Sequence, residues 1–417
     1  MKYITTLAVL LATTSLASAA SNESFILHAG KKNIGVAQQV KGDNVQATVQ
    51  VGNRNHAVTT QKNGDTNKSG ILEIGNDNSA VVGQTGGANK QGTLQVGNSN
   101  FALTLQGNGT SGSNTSGTAQ FGNGNNSLVG QSGGSNTQGT LQFGAGKDSG
   151  NLAETGQTTG PNNGDKNLSN TIQAGSDNTA INAQNSVGDA HLTKPGLGGE
   201  NNQLSLQFGK GNTELTDQNS IGTGNKKTAV SGVENDSLTL QVGKDNFSQT
   251  KQNGTNPGDT ANQSTNASLT AQFGQDNTAL TKQKNGDNLQ ATVQGGSDNF
   301  AQTTQKNSGG ELGTNASLTA QFGEGNLAFT KQKIADPLNT GVNGSLIAQV
   351  GKSNFAVAHQ NDNSTGLQPM IGANLQATVQ VGNNNNAVTT QTASATVTNA
   401  SVTAQFGSHN VALTTQK

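Results

Sequence analysis

Five histidines are the side chains best suited to acid–base or metal chemistry, and their spacing argues against both. His28, His56, His191, His359 and His409 fall in arcs, strands or a linker with no common interval, whereas a metal or catalytic site needs residues that converge at set spacing. The turns Gly175-Ser-Asp-Asn178 and Gly296-Ser-Asp-Asn299 resemble calcium turns only faintly. They lack the tandem nine-residue spacing of calcium-binding β-rolls. Cysteine is absent, which removes disulfides and thiolate metal sites alike. No glycine-rich loop runs into Lys-Ser/Thr to cradle phosphate. Lys31-Lys32 and Lys226-Lys227 read as solvated pairs, and a net charge of −1 offers no basic face to nucleic acid. The expectation is a chain that is not an enzyme and uses no cofactor or metal.

Amides and hydroxyls are what the chain has in quantity. Hydrophobic residues make up 29%, aromatics 3% and charged residues 11%. A chain this poor in charge and rich in Gly, Asn, Gln, Thr and Ser is either disordered or held by hydrogen bonds in a repetitive fold. Periodicity decides between the two.

The segment from Asn374 to Gln391 gives an 18-residue template, N-x-[QS]-x-T-x-Q-x-G-x-x-N-x-A-x-T-x-Q, whose positions are numbered 1 to 18 below. Units begin near 22, 44, 67, 89, 114, 136, 167, 201, 235, 266, 288, 315, 343, 374 and 399. All fifteen carry Asn at position 1, Gly at position 9 and Asn at position 12. The first unit is degenerate, with His28 at position 7, and the unit at 136 accepts an insertion after Gly144. Linkers of 4 to 16 residues hold all five prolines, Pro161, Pro195, Pro257, Pro337 and Pro369, as hydrogen-bonded repeat cores require.

Those residues must be positioned by strands. Strict alternation on both sides of the glycine is a two-residue period. Gly at 9 and Asn at 12 bracket a tight arc, where positive φ is cheap for Gly and tolerable for Asn. The predicted fold is all-β: a β-solenoid of about fifteen stacked strand-turn-strand units in two parallel, in-register sheets, filling residues 20–417.

Hydrophobicity would turn one set of side chains inward, and uniformity favours the other. The intervening positions carry most apolar residues but vary from unit to unit. The repeated polar set hardly varies, and only Glu73 and Glu214 bring charge into it. Position 3 nearly alternates large and small, as in Gln46, Ser69, Gln91, Ser116, Gln138, Ser169, Gln203 and Ser237, a packing signature. The polar set is therefore read as the interior, each amide pairing with its twin above and below. The expected ladder residues are Gln50, Asn55, Gln61, Gln272, Asn277, Gln283, Gln349, Asn354, Gln360, Gln380, Asn385 and Gln391, with Gly52, Gly274, Gly351 and Gly382 at the turns.

Phenylalanine occupies position 8 in six units and position 13 in four, never both in one unit. These rings either fill space at the bend or, placed along one ridge beside the arc, let Phe273, Phe322 and Phe355 offer lateral contacts between fibres. At the start of the chain, Lys2, an apolar run from Thr5 to Leu16 and Ala17-Ser-Ala19 form a cleavable secretion signal over residues 1–19. No later segment is apolar enough to cross a membrane as a helix.

The unit resembles the curlin repeat of curli, the amyloid fibres of Gram-negative bacterial biofilms, whose pattern is S-x5-Q-x-G-x2-N-x-A-x3-Q. Gln50, Gly52, Asn55, Ala57 and Gln61 match its Q, G, N, A and Q. Gln272, Gly274, Asn277, Ala279 and Gln283 do so again, as do Gln349, Gly351, Asn354, Ala356 and Gln360. The chain departs from the family in its Asn at position 1, its polar positions 3, 5 and 16, and its number of units. The resemblance implies an extracellular, cell-surface fibre subunit exported through an outer-membrane curli pore with accessory or nucleator proteins. It also implies that the Gln and Asn ladders stabilise the stack and govern nucleation. Uncapped end layers would let copies join end to end. A second expectation, from a binding class, is a monomeric solenoid recognising ice or glycan through a Thr row at position 16: Thr59, Thr104, Thr281, Thr303, Thr389 and Thr414.

Overall fold

Alternation makes each half-unit extended, and the glycine arc turns the chain so that the next half-unit runs back beside it. A computed structural model describes residues 22–108, 112–144, 150–160, 165–187, 199–223, 233–257, 264–307, 313–335, 341–363, 372–394 and 397–417. The expected secretion signal over residues 1–19, four of the prolines (Pro257 excepted), His191 and Lys226-Lys227 lie outside them. The described residues form 28 strands, all pairing in parallel, and none of them is helical.

Register follows the repeat. Gly30 pairs Gly52, Gly52 pairs Gly75, and Gly382 pairs Gly407. First strands stack on first strands and second strands on second strands, so the chain is a parallel β-solenoid. The expected two sheets are joined as one. Strands β1 (Glu23–Lys31), β2 (Ile34–Asn53) and β3 (His56–Asn76) give the reason. The short connections inside β2 and β3 stay in the ladder, with only a register shift at Gly42/Asp43, and carry one ladder into the other. Where adjacent layers both have long linkers, these pair as well: Asn219 lies against Asn253, and Thr223 against Pro257 at the end of its strand. Pairing thus extends beyond the 18-residue unit.

The interior is the polar set. Gln50, Asn55, Gln61, Thr48 and their counterparts are buried, while the apolar side chains between them point outward and several are exposed. Apolar burial is confined to small patches such as Ala57, Ile71, Ala80 and Val82. This inverts the usual soluble core, and it works because a parallel in-register stack gives most inward amides a like partner one layer away.

The arc differs in one detail from the expectation. Gly52, Gly274, Gly351 and Gly382 have φ of +123°, +113°, +122° and +124°. The second positive φ falls at position 11, as in Arg54, Asp77 and Asn384, and not at the position-12 Asn. Asn and Asp tolerate that region best among residues with a Cβ. The position-12 Asn is instead turned inward as part of the core.

Candidate functional site

The arrangement with chemical consequence is the column of amides along the axis. At position 7, Gln272 Nε2 donates to Gln294 Oε1 at 2.9 Å, Gln349 to Gln380 at 2.8 Å and Gln380 to Gln405 at 2.7 Å. At position 18, Gln61 donates to Gln84 at 2.8 Å, Gln283 to Gln305 at 2.9 Å, Gln360 to Gln391 at 2.9 Å and Gln391 to Gln416 at 2.7 Å. Both columns donate toward the C-terminal layers.

The Asn column at position 12 runs the other way. Asn277 Nδ2 donates to Asn246 Oδ1, Asn354 to Asn326 and Asn385 to Asn354, each at 3.0 Å. The backbone N–H of Asn55 likewise donates to Asn33 Oδ1 at 3.0 Å. Each amide also clamps the next turn: Asn55 Nδ2 reaches the Gly75 carbonyl at 2.9 Å and Asn354 the Gly382 carbonyl at 2.8 Å. A Cβ on Gly351 would stand 2.0 Å from the Gly382 oxygen, so glycine is a packing requirement here as well as a dihedral one. Position 1 adds a second Asn column, with Asn374 donating to Asn343 at 2.9 Å.

The large–small alternation at position 3 resolves into pairs. Ser69 Oγ donates to Gln91 Oε1 at 3.0 Å, Ser116 to Gln138 at 2.8 Å and Ser345 to Gln376 at 2.9 Å. Each of these Gln side chains then donates to the Thr two residues on, as Gln91 does to Thr93. Where Ser follows Ser, at Ser237 and Ser317, the hydroxyl is buried without a partner.

Two steps of the position-7 column are broken: Gln50 Oε1, in register with His28, is buried without a partner, and a second gap follows at Glu73. Gln50 Nε2 donates to Glu73 Oε2 at 2.6 Å, and Glu73 lies in register with Gln95. Glu73 Oε1 is buried without a partner, and so is Gln95 Oε1, because an ionised carboxylate has no proton to pass on to it. Burial pushes the Glu73 carboxyl up to about 7, with the Gln50 and Ala80 N–H groups opposing the shift. Glu214, at a position where most units have Ala, is likewise pushed up to about 7 by burial, moderated by hydrogen bonds from Thr216, Gln203 and Ser205. The sequence flags both residues as the only charges in the polar set. The break in the ladder follows only from atomic geometry.

Two expectations change. Thr59, Thr104, Thr281, Thr303 and Thr389 are buried, so the Thr row proposed to bind ice or glycan lies inside the solenoid. The phenylalanines do not make one ridge. Phe273 and Phe322 are exposed on the first-strand face. Phe355 sits on the second-strand face, where Phe329 links it to Phe300 with ring centroids 5.9 and 5.5 Å apart. Positions 8 and 13 lie on opposite sides of the arc, so their rings diverge.

No cluster of His, Asp or Glu able to hold a metal exists among the described residues. Fold and core together define a parallel β-solenoid with an amide-laddered interior. No protein-family model matches the chain, and no curated protein matches it.

Proposed function

We propose that the chain is a structural subunit of extracellular, curli-like amyloid fibres that polymerises end to end. The observation that carries this reading is the polarity of the outermost described layers. In the layer of Thr398–Ser408 and Val411–Gln416, Gln416 Nε2 and Gln405 Nε2 donate only to carbonyls within their own molecule. Asn399 and Asn410 use their Nδ2 groups on the layer below, which turns their Oδ1 atoms to the open side. The layer of residues 22–39 is the complement. Gln39 donates to Gln61 at 2.9 Å and leaves its Oε1 outward. Asn22 accepts from Asn44 at 2.7 Å and leaves its amide N–H groups outward.

A second copy stacked in register extends three of the four amide columns with donor facing acceptor. In the fourth, Gln405 meets His28. Each added layer gains about 1 kcal/mol per hydrogen bond, repeated across backbone and side chains, and apart from that column the joint has the same construction as an internal layer. Export would use a curli-type pore, with accessory or nucleator partners, after removal of residues 1–19. Phe273 and Phe322 would assist contact between fibres, and Phe355 would do so from the other face.

Electron microscopy and fibre diffraction of purified mature protein test the reading. Filaments with a reflection near 4.7–4.8 Å are expected. Protein that stays as discrete rods at high concentration for days would overturn it.

A further inference from the structure

Over the last six layers the two outer faces of the rod differ in kind. Positions 2, 4, 6 and 8 of the units beginning at 266, 288, 315, 343, 374 and 399 hold only Ala, Leu, Val, Phe and Gly. The opposite face of the same layers is mixed, with Lys282, Gln302, Lys331, His359 and Asn386 set among apolar residues such as Phe300, Leu327, Phe329 and Phe355. On the apolar face Leu289 is 57% exposed, Leu375 46% and Leu318 42%. A shallow furrow of about 1060 Å³ runs along it, from Leu168 to Val402.

We infer that this first-strand face is a lateral docking surface for the same face of a second copy of the chain, pairing two solenoids side by side. Size is the first argument. Six layers by eight residues of strand make a face of roughly 750 Å². That exceeds the ~300–600 Å² of the largest apolar patch on an ordinary monomer and approaches the ~800 Å² per partner of a stable interface.

Shape is the second. Positions 2 and 4 are never both large: Ala267 with Leu269, Leu289 with Ala291, Gly344 with Leu346, and Leu375 with Ala377. Each layer therefore presents one ridge and one gap. A second copy brings ridges and gaps at the same layer spacing, so the two faces interdigitate as a dry zipper. A partner with any other repeat drifts out of step within a few layers.

Charge is the third, since positions 2 to 8 of these six layers carry no ionised group, and the charges on the same strands, Asp287, Glu324 and Lys352, lie at the rims. The inference extends the proposed fibre sideways, and it stands or falls separately from end-to-end growth.

The test is mass per length by scanning transmission electron microscopy, with sedimentation for any material that does not form filaments. Wild type should have the mass of two solenoids per unit length. Leu289→Lys with Leu346→Lys should halve it while filaments persist, and Leu280→Lys on the opposite face should leave it unchanged. If the double variant loses its β-sheet circular dichroism, Leu289→Lys alone, at the most exposed leucine of the apolar face, is measured instead. Wild type of single-solenoid mass overturns the pairing, as does a double variant that stays paired. Single rods that float with phosphatidylcholine vesicles instead of pairing overturn it too. Paired rods that never elongate would keep this inference and sink the fibre reading; single-solenoid filaments would do the converse.

Discussion

Replacing Glu73 by Gln should stabilise the solenoid at alkaline pH and leave it unchanged in acid. The structure supplies the magnitude. Burial raises the Glu73 carboxyl to about 7 from an ordinary value of 4.5. A folded-state value above the unfolded one means the folded chain keeps its proton longer. Stability is then fully present below about pH 4, falls as pH rises, and has lost this contribution by about pH 7. The shift corresponds to roughly 3 kcal/mol. At pH 4 the protonated Glu73 can itself donate to Gln95 Oε1, so wild type and Glu73→Gln should match. At pH 8 the variant supplies an amide N–H that the carboxylate lacks and should be more stable by about 3 kcal/mol. Glu214 titrates in the same direction, but it lies several layers away and cancels in the comparison. Solenoid layers contact only their neighbours, so the assay should be local. Hydrogen–deuterium exchange, corrected for intrinsic rates, would be followed at pH 4, 6 and 8 on peptides covering residues 67–76 and 90–98. Equal protection of the two proteins at pH 8, or a variant advantage that persists at pH 4, would refute the reasoning.

Glycine substitutions should separate by position. Gly351→Ala, with φ of +122° and a Cβ 2.0 Å from the next oxygen, should cost more than about 3 kcal/mol. Gly92→Ala, with nothing within 4 Å of the new Cβ, should be neutral or gain up to about 1 kcal/mol; urea melts of both decide. Asn354→Ala removes the amide donor to the Gly382 carbonyl, one of the two donors to Asn326 Oδ1, and the oxygen that accepts from both the backbone N–H and Nδ2 of Asn385. It should destabilise its layers by about 3 kcal/mol or more, seen as lost exchange protection at residues 343–385. His28→Gln completes the fourth column at the proposed joint. It should speed seeded elongation by about fivefold, the equivalent of one hydrogen bond, measured by thioflavin fluorescence; an unchanged rate would place the joint elsewhere.

What the sequence by itself determined was everything carried by short spacing. Alternation specified strands, Gly at 9 specified the turn, and uniform columns marked Gln50, Asn55 and Gln61 as interior although hydrophobicity alone would have buried Val45 and Val51. These features are local, or repeat identically, so one unit reports for all. Tertiary structure decided what depends on residues 22 to 34 apart meeting in register. Stacking turned the position-3 alternation into Ser-to-Gln pairs and opened the ladder between Glu73 and Gln95. It also moved the second positive φ from Asn at 12 to position 11, since Asn at 12 is needed to bond the layers on either side. Outward residues that vary from unit to unit look unordered when read along the chain. Only when layers are stacked do Leu289, Leu318 and Leu375 fall on one continuous apolar face, while Phe355 departs to the other. The physical reason is that a strand's own period places a side chain in or out, whereas its neighbours across the ladder are chosen by linker length and registry.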